Sequence, residues 1–200
     1  MELKAIDQIT NILKNDIRTK AEILPLKIIN KTDRNQNQEV SEAYQRLLKK
    51  DFIGSQYDWL GVFALEHRGI ELCVHKDDKA INIIEKYGCL KKESDYYTLD
   101  QEKSDPDLNI VFGNYHFPLA DLTKLQMKQW YIENEYASVM NETWFCYQPL
   151  NGKPCGLCNP CKYTIEEGLS NRFTKTALLR YYLHHSQVSN MVKKIVKHKS

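Results

Sequence analysis

The residues of this chain best placed to do chemistry are four clustered cysteines. Cys146 is followed after eight residues by Cys155, and then at two-residue gaps by Cys158 and Cys161. Three thiols on one tight loop, with a fourth returning across a hairpin-like turn, suit a tetrahedral ion. Zinc accepts four thiolates at about 2.3 Å, and a closed set leaves no position open for water, so the site would hold structure and perform no reaction. Gly156 frees the backbone between ligands, Asn151-Gly152 supplies the turn in the longer loop, and Pro154 and Pro160 stiffen both approaches. An iron–sulfur cluster is the competing occupant, because thiolate sets hold either. Six cysteines in a secreted chain would suggest disulfides, but four of them within sixteen residues point to metal in a reducing compartment. Cys73 and Cys89 lie apart and need no partner.

Other constellations are weaker. His184 and His185 are neighbours, and in a helix they point roughly 100° apart, so they form no two-histidine chelate there. No Ser-His-Asp set is recognisable. Trp59, Trp130 and Trp144 with twelve tyrosines suit base stacking, yet Trp59 and Trp130 fall near apolar helical stripes, which favours core packing.

The elements that must carry these residues alternate. Ile6, Ile9, Leu13 and Ile17 recur at helical steps, and Glu22 to Asn30 is β-branched and strand-like, with Pro25 making its first half an edge. A second helix carries Val40, Tyr44, Leu47 and Leu48, and Trp59 to Leu65 reads as a helix apolar nearly all round. Ile70 to Val74 reads as a strand, Ala80 to Tyr87 as a helix, Leu90 to Asp107 as a charged loop, and Asn109 to Phe112 as a short strand. Thr123 and Gln126 have capping-box spacing ahead of a helix with a core-facing stripe of Leu122, Leu125 and Ile132. The helical period resumes at Leu178, Tyr181 and Tyr182 and continues through Val188, Met191, Val192 and Ile195. Such alternation predicts an α/β fold, a parallel sheet flanked by helices, with ligands at the carboxyl ends of its strands. One such end is Gly113-Asn-Tyr-His116.

The net charge of +2 is unevenly spread. Residues 171–200 hold seven Lys or Arg and no acid, so the other twenty-one bases face twenty-six acids and leave −5 elsewhere. A basic segment of this kind docks on RNA, an acidic protein surface or anionic lipid, or is a solvated helix face, the default without a base-reading motif. No apolar run reaches the ~20 residues that cross a bilayer, and the first residues lack a secretory pattern, so a cytoplasmic protein without membrane partners is expected.

The stretch Thr143-Trp-Phe-Cys-Tyr147, then Cys155-Gly-Leu-Cys-Asn-Pro-Cys161, then Gly168-Leu169 resembles the zinc segment of the 7-cyano-7-deazaguanine synthases, the preQ0-forming enzymes of queuosine biosynthesis. Phe117-Pro118-Leu119 and Leu122-Thr-Lys124 sit where that family has a Pro-Leu and a Leu-Thr-Lys. The resemblance runs from about Asn109 to Leu169. It implies the fold of PP-loop ATP pyrophosphatases (adenine nucleotide alpha hydrolase-like), in which a strand leads into a Ser-Gly-Gly-x-Asp-Ser loop that holds the ATP phosphates. This sequence contains no such loop, and its eight glycines are scattered. Its first helix resembles the one that follows the loop, and Ile23 to Asn30 the family's second strand. ATP is therefore a doubtful cofactor and independent ATP-dependent catalysis is in doubt.

The resemblance implies, for an active member, an ATP-dependent C–N ligase that converts a 7-deazaguanine carboxylate to a nitrile. By position it puts Lys124 at the acid or phosphate as a charge stabiliser; a solvent-facing lysine beside an N-cap is the plainer reading. Gln56, Asp58, Asn114 and His116 are candidate pocket residues on predicted strand ends and helix starts. The expected organisation is a truncated PP-loop-like domain over residues 1–140 and a zinc-binding helical segment over 141–200. The expected role is a degenerate or split deazapurine- or nucleotide-binding homologue with structural zinc, working as a homodimer or with a partner subunit. The alternative is a non-catalytic interaction module that engages RNA or a partner protein through residues 171–200.

Overall fold

The computed structural model describes residues 1–185. The late helical period at Val188, Met191, Val192 and Ile195, and Lys193, Lys194, Lys197 and Lys199 of the basic segment, lie outside the described residues. In chain order the elements are α1 (Glu2–Asn15), α2 (Gln38–Lys50), α3 (Gln56–Glu66), β1 (Ile70–Glu71), α4 (Lys79–Tyr87), β2 (Leu90–Lys92), β3 (Tyr97–Leu99), α5 (Pro106–Phe112), β4 (Tyr115–His116), α6 (Lys124–Glu133), α7 (Ala137–Asn141), α8 (Asn159–Glu166) and α9 (Lys175–His185). No helix among the described residues is long and apolar enough to cross a membrane. The chain forms two compact units, one of Leu26–Gln126 and one of Met1–Pro25 with Met127 onward.

The unit of Leu26–Gln126 is mixed α/β with a small sheet. β1 pairs in parallel with β4, Ile70 opposite Tyr115 and Glu71 opposite His116. β2 and β3 form an antiparallel hairpin that joins the strand region through a bridge from Tyr97 to Phe117. The core gathers Leu47, Ile53, Ile81, Ile84, Leu108, Phe112, Tyr115 and Phe117, with Tyr57 tilted on Phe112 at 5.1 Å. Gly61 lets α3 approach closely: a Cβ there would lie 2.9 Å from Val40 and 3.3 Å from the Val111 carbonyl.

Several sequence expectations give way here. Asn109 to Phe112 is helix, because Asp105 caps α5 and Pro106 occupies its first turn, a start signal that outweighs a short β-branched run. Glu22 to Asn30 forms no strand; Leu24, Leu26 and Ile28 are exposed, and an extended run without a neighbouring strand to bond has no ladder. The charged loop from Leu90 holds the β2–β3 hairpin, and among the described residues the parallel sheet is limited to β1 and β4. The stripe on α6 is not core-facing, since Leu125 and Ile132 are exposed, as is Trp130, which stacks on Tyr136. The Thr123 cap itself forms: the Gln126 backbone N–H donates to its hydroxyl at 3.2 Å, and its own N–H donates to Gln126 Oε1 at 2.9 Å.

Charges tie α2 to α5. Arg46 donates from Nε and Nη2 to the buried Asp107 at 2.9 and 2.8 Å, and Lys50 donates to Asp105 at 2.6 Å. Asp105 also accepts the Asp107 backbone N–H at 2.9 Å. The Lys50 hydrogen bond, opposed by partial burial, holds the Asp105 carboxyl below the usual carboxylate range. Its contribution is thus present above the unfolded pKa of about 4 and is lost as pH falls through the lower folded value. Asp105→Ala is expected to cost about 1 kcal/mol at neutral pH, as a lost N-cap does. Urea melts at pH 7 and pH 3 should show that difference shrinking in acid.

Candidate metal centre

The four cysteines belong to the unit that contains α8 and α9, and local sequence shapes their loop. Asn151 (φ 50°) and Gly152 (φ 72°) form a two-residue turn of the I′ type, closed by paired hydrogen bonds between Leu150 and Lys153 at 2.9 and 3.1 Å. The turn sends the chain from Cys146 back to Cys155. Gly156, at φ 80°, lets Leu157 and Cys158 fold over the first thiol of the loop. Cys158 then stands at the N-cap of α8, and Cys161 lies in its first turn behind Pro160.

The sulfurs meet. All four lie within 4.8 Å of one another, with Cys155 and Cys161 3.8 Å apart and Cys146 and Cys158 3.9 Å apart. A tetrahedron of ligands at about 2.3 Å separates its sulfurs by about 3.8 Å, so the cluster has the size of a site for one ion. An iron–sulfur cluster with each thiolate on a different iron needs a wider set. Cys146, Cys155 and Cys161 are buried, and Trp144, Phe145 and Phe173 pack around them. Backbone N–H groups donate to the sulfurs: Cys155 to Cys146, and Leu157 and Cys158 to Cys155, each at 3.3 Å. Such bonds stabilise negative sulfur, which fits ligation better than four neutral thiols.

Burial pushes the Cys146 and Cys161 thiols up. Burial also acts on Cys158, but backbone N–H groups of Cys161 and Tyr147, together with the Cys161 and Cys155 side chains, outweigh it and bring the thiol down to about 7. The start of α8 favours the thiolate in the same sense. A bound cation must displace the remaining protons, so metal retention is expected to fall as pH drops, and more steeply below about 7, where Cys158 also takes up a proton. Metal content after dialysis at pH 8 and at pH 5 checks this.

The family model of the Queuosine biosynthesis protein QueC matches residues 107–171, a span that includes all four cysteines. This segment is QueC-like. It coincides with the stretch whose motifs resemble the 7-cyano-7-deazaguanine synthases. No curated protein and no solved structure matches the chain.

The other candidate residues fall at three places. Gln56 and Asp58 open α3, where Asp58 accepts a 2.7 Å hydrogen bond from Ser41. Asn114 and His116 lie along the parallel pair, where their carbonyls accept the N–H groups of Gly69 and Leu72. The His116 ring stacks on Tyr96 at 3.9 Å. Lys124 is the first residue of α6. Sequence reasoning missed the support that α9 gives the metal loop, where Arg180 donates to the Cys155 carbonyl at 2.9 Å. Two groups twenty-five residues apart in the chain carry no local sign of that bond.

Proposed function

We propose that this chain is a zinc-binding relative of the 7-cyano-7-deazaguanine synthases, a degenerate or split member in which zinc holds the C-terminal scaffold and a deazapurine or nucleotide is bound by the unit of Leu26–Gln126. The observation that carries the reading is the coincidence of the QueC match with a four-cysteine cluster of single-ion dimensions. Cys146, Cys155, Cys158 and Cys161 would hold the ion; its closed thiolate set supplies structure and leaves reaction chemistry to other groups. Lys124, at the start of α6 beside the Thr123 cap, would set a positive charge against the ligand's carboxylate or phosphate. Gln56, Asp58, Asn114 and His116 are the further pocket candidates, and a partner subunit would supply the phosphate-binding loop.

Metal analysis followed by thermal-shift titration with ATP and, separately, with 7-carboxy-7-deazaguanine tests the proposal. The expected result is one zinc per chain and stabilisation by at least one ligand. One zinc with no response to either would leave only a scaffold. Lys124→Ala is expected to weaken 7-carboxy-7-deazaguanine binding about tenfold, the size of one charge-assisted hydrogen bond, with the melting temperature unchanged; calorimetry showing equal affinity would remove Lys124 from the site.

The uneven charge of residues 171–200 supports a second reading, an interaction module for RNA or a partner protein. RNA binding that weakens steeply with salt and disappears on deleting residues 188–200 would favour it.

A further inference from the structure

We propose that a cleft beside the metal loop, walled by α1 and by the segments around Thr143 and Arg172, binds the carboxylate or phosphate group of a small ring-bearing ligand, with Arg172 as its main contact. The cleft has a volume of about 440 Å³, within the size range of small-molecule sites. Arg172 is half-buried in its wall. Its Nη2 donates to the Thr143 carbonyl and, at 2.8 Å, to the Thr143 hydroxyl, while the guanidinium lies over the Phe145 ring at 4.7 Å from the centroid. These contacts hold the side chain in one orientation. No carboxylate among the described residues pairs with it, and burial lowers its pKa from the ordinary arginine value.

A half-buried guanidinium held by neutral partners has unspent capacity for an oxyanion, which its planar fork matches geometrically. Among the lining side chains Lys4 adds a second cation and Glu142 one acid, an excess of positive charge that suits an oxyanion. Trp144 lines the same cleft and is locked by its indole N–H, which donates to the Cys146 carbonyl at 2.8 Å. Trp144 thereby offers ring surface to the rest of the ligand, while Phe145 carries the Arg172 guanidinium over its own ring. Since Trp144 and Phe145 also pack on the cysteine cluster, the metal site orders one wall of the cleft.

The test uses the metal-loaded full chain in Tris chloride, titrated with benzoate and with phenyl phosphate and followed by the Trp144 indole resonance in 1H-15N spectra. A saturable shift is expected with at least one probe, and the stronger binder identifies the anionic group. Arg172→Gln should abolish the shift with metal content unchanged. Lys4→Gln, at an exposed position that does not endanger folding, should weaken binding by about two- to fivefold, as loss of an exposed charge does. The proposal is overturned if neither probe shifts the resonance, or if the response survives Arg172→Gln, which would leave that arginine as a countercharge to the metal thiolates. Should Arg172→Gln lose its metal, Lys4→Gln decides, and unchanged affinity overturns the site.

Discussion

Cys161→Ser should drop the metal content from one zinc per chain toward none and unfold the unit built on α8 and α9. Cys161 is fully buried, its sulfur 3.8 Å from that of Cys155 in a set spanning at most 4.8 Å. Serine is a poor ligand in a thiolate set, and the three remaining sulfurs would leave the ion open to water. Structural zinc in such sites is worth on the order of 10 kcal/mol to the folded state, as large as the stability of many whole domains. The loss should be regional. Hydrogen exchange should accelerate through α8 and α9, while amides near Phe112, Tyr115 and Phe117, which lie in the separate core of the other unit, keep their protection. A variant that retains stoichiometric zinc with native exchange rates would show that Cys161 is not a ligand.

Gly156→Ala should be strongly damaging although it leaves all four cysteines in place. Gly156 has φ 80°, and a Cβ there would lie 2.2 Å from the carbonyl oxygen of Ala177, itself fully buried in α9. The left-handed backbone costs a non-glycine residue roughly 1–2 kcal/mol. Relieving a clash with helix backbone adds overpacking of roughly 1–3 kcal/mol. A total of about 3 kcal/mol is expected, together with weaker zinc retention, because α9 must move away from the loop whose Cys155 carbonyl Arg180 holds. Chemical denaturation and competition against a zinc chelator read the two effects. Gly152→Ala provides the contrast: its φ is 72° but nothing lies within 4 Å of a Cβ there, so only the backbone strain should register.

Features legible in the sequence were those whose cause is local. The spacing of Cys146, Cys155, Cys158 and Cys161, the Asn151-Gly152 turn and the Thr123–Gln126 capping box each lie within sixteen residues or fewer, and side-chain chemistry there dictates the backbone. The helices α2, α3 and α4 carried enough period or length to be read directly. Asn109 to Phe112 reads as a strand because its three apolar residues show no period, although Asp105-Pro106 ahead of them is a helix signal in plain view.

Tertiary structure alone decided the rest. A strand exists only where another strand accepts its hydrogen bonds, so Glu22 to Asn30 stays irregular despite its composition, while Ile70 and Tyr115 pair across forty-five positions. An amphipathic stripe is buried only where a surface meets it, and on α6 Leu125 and Ile132 have none. The close approach of Ala177 to Gly156 and the hold of Thr143 on Arg172 join residues twenty or more positions apart. By itself the sequence determined which four cysteines could serve a metal and the turns that gather them, since bonding and backbone preference act over short stretches of chain. Which distant groups close around that site depends on packing, which is settled only when the whole chain folds.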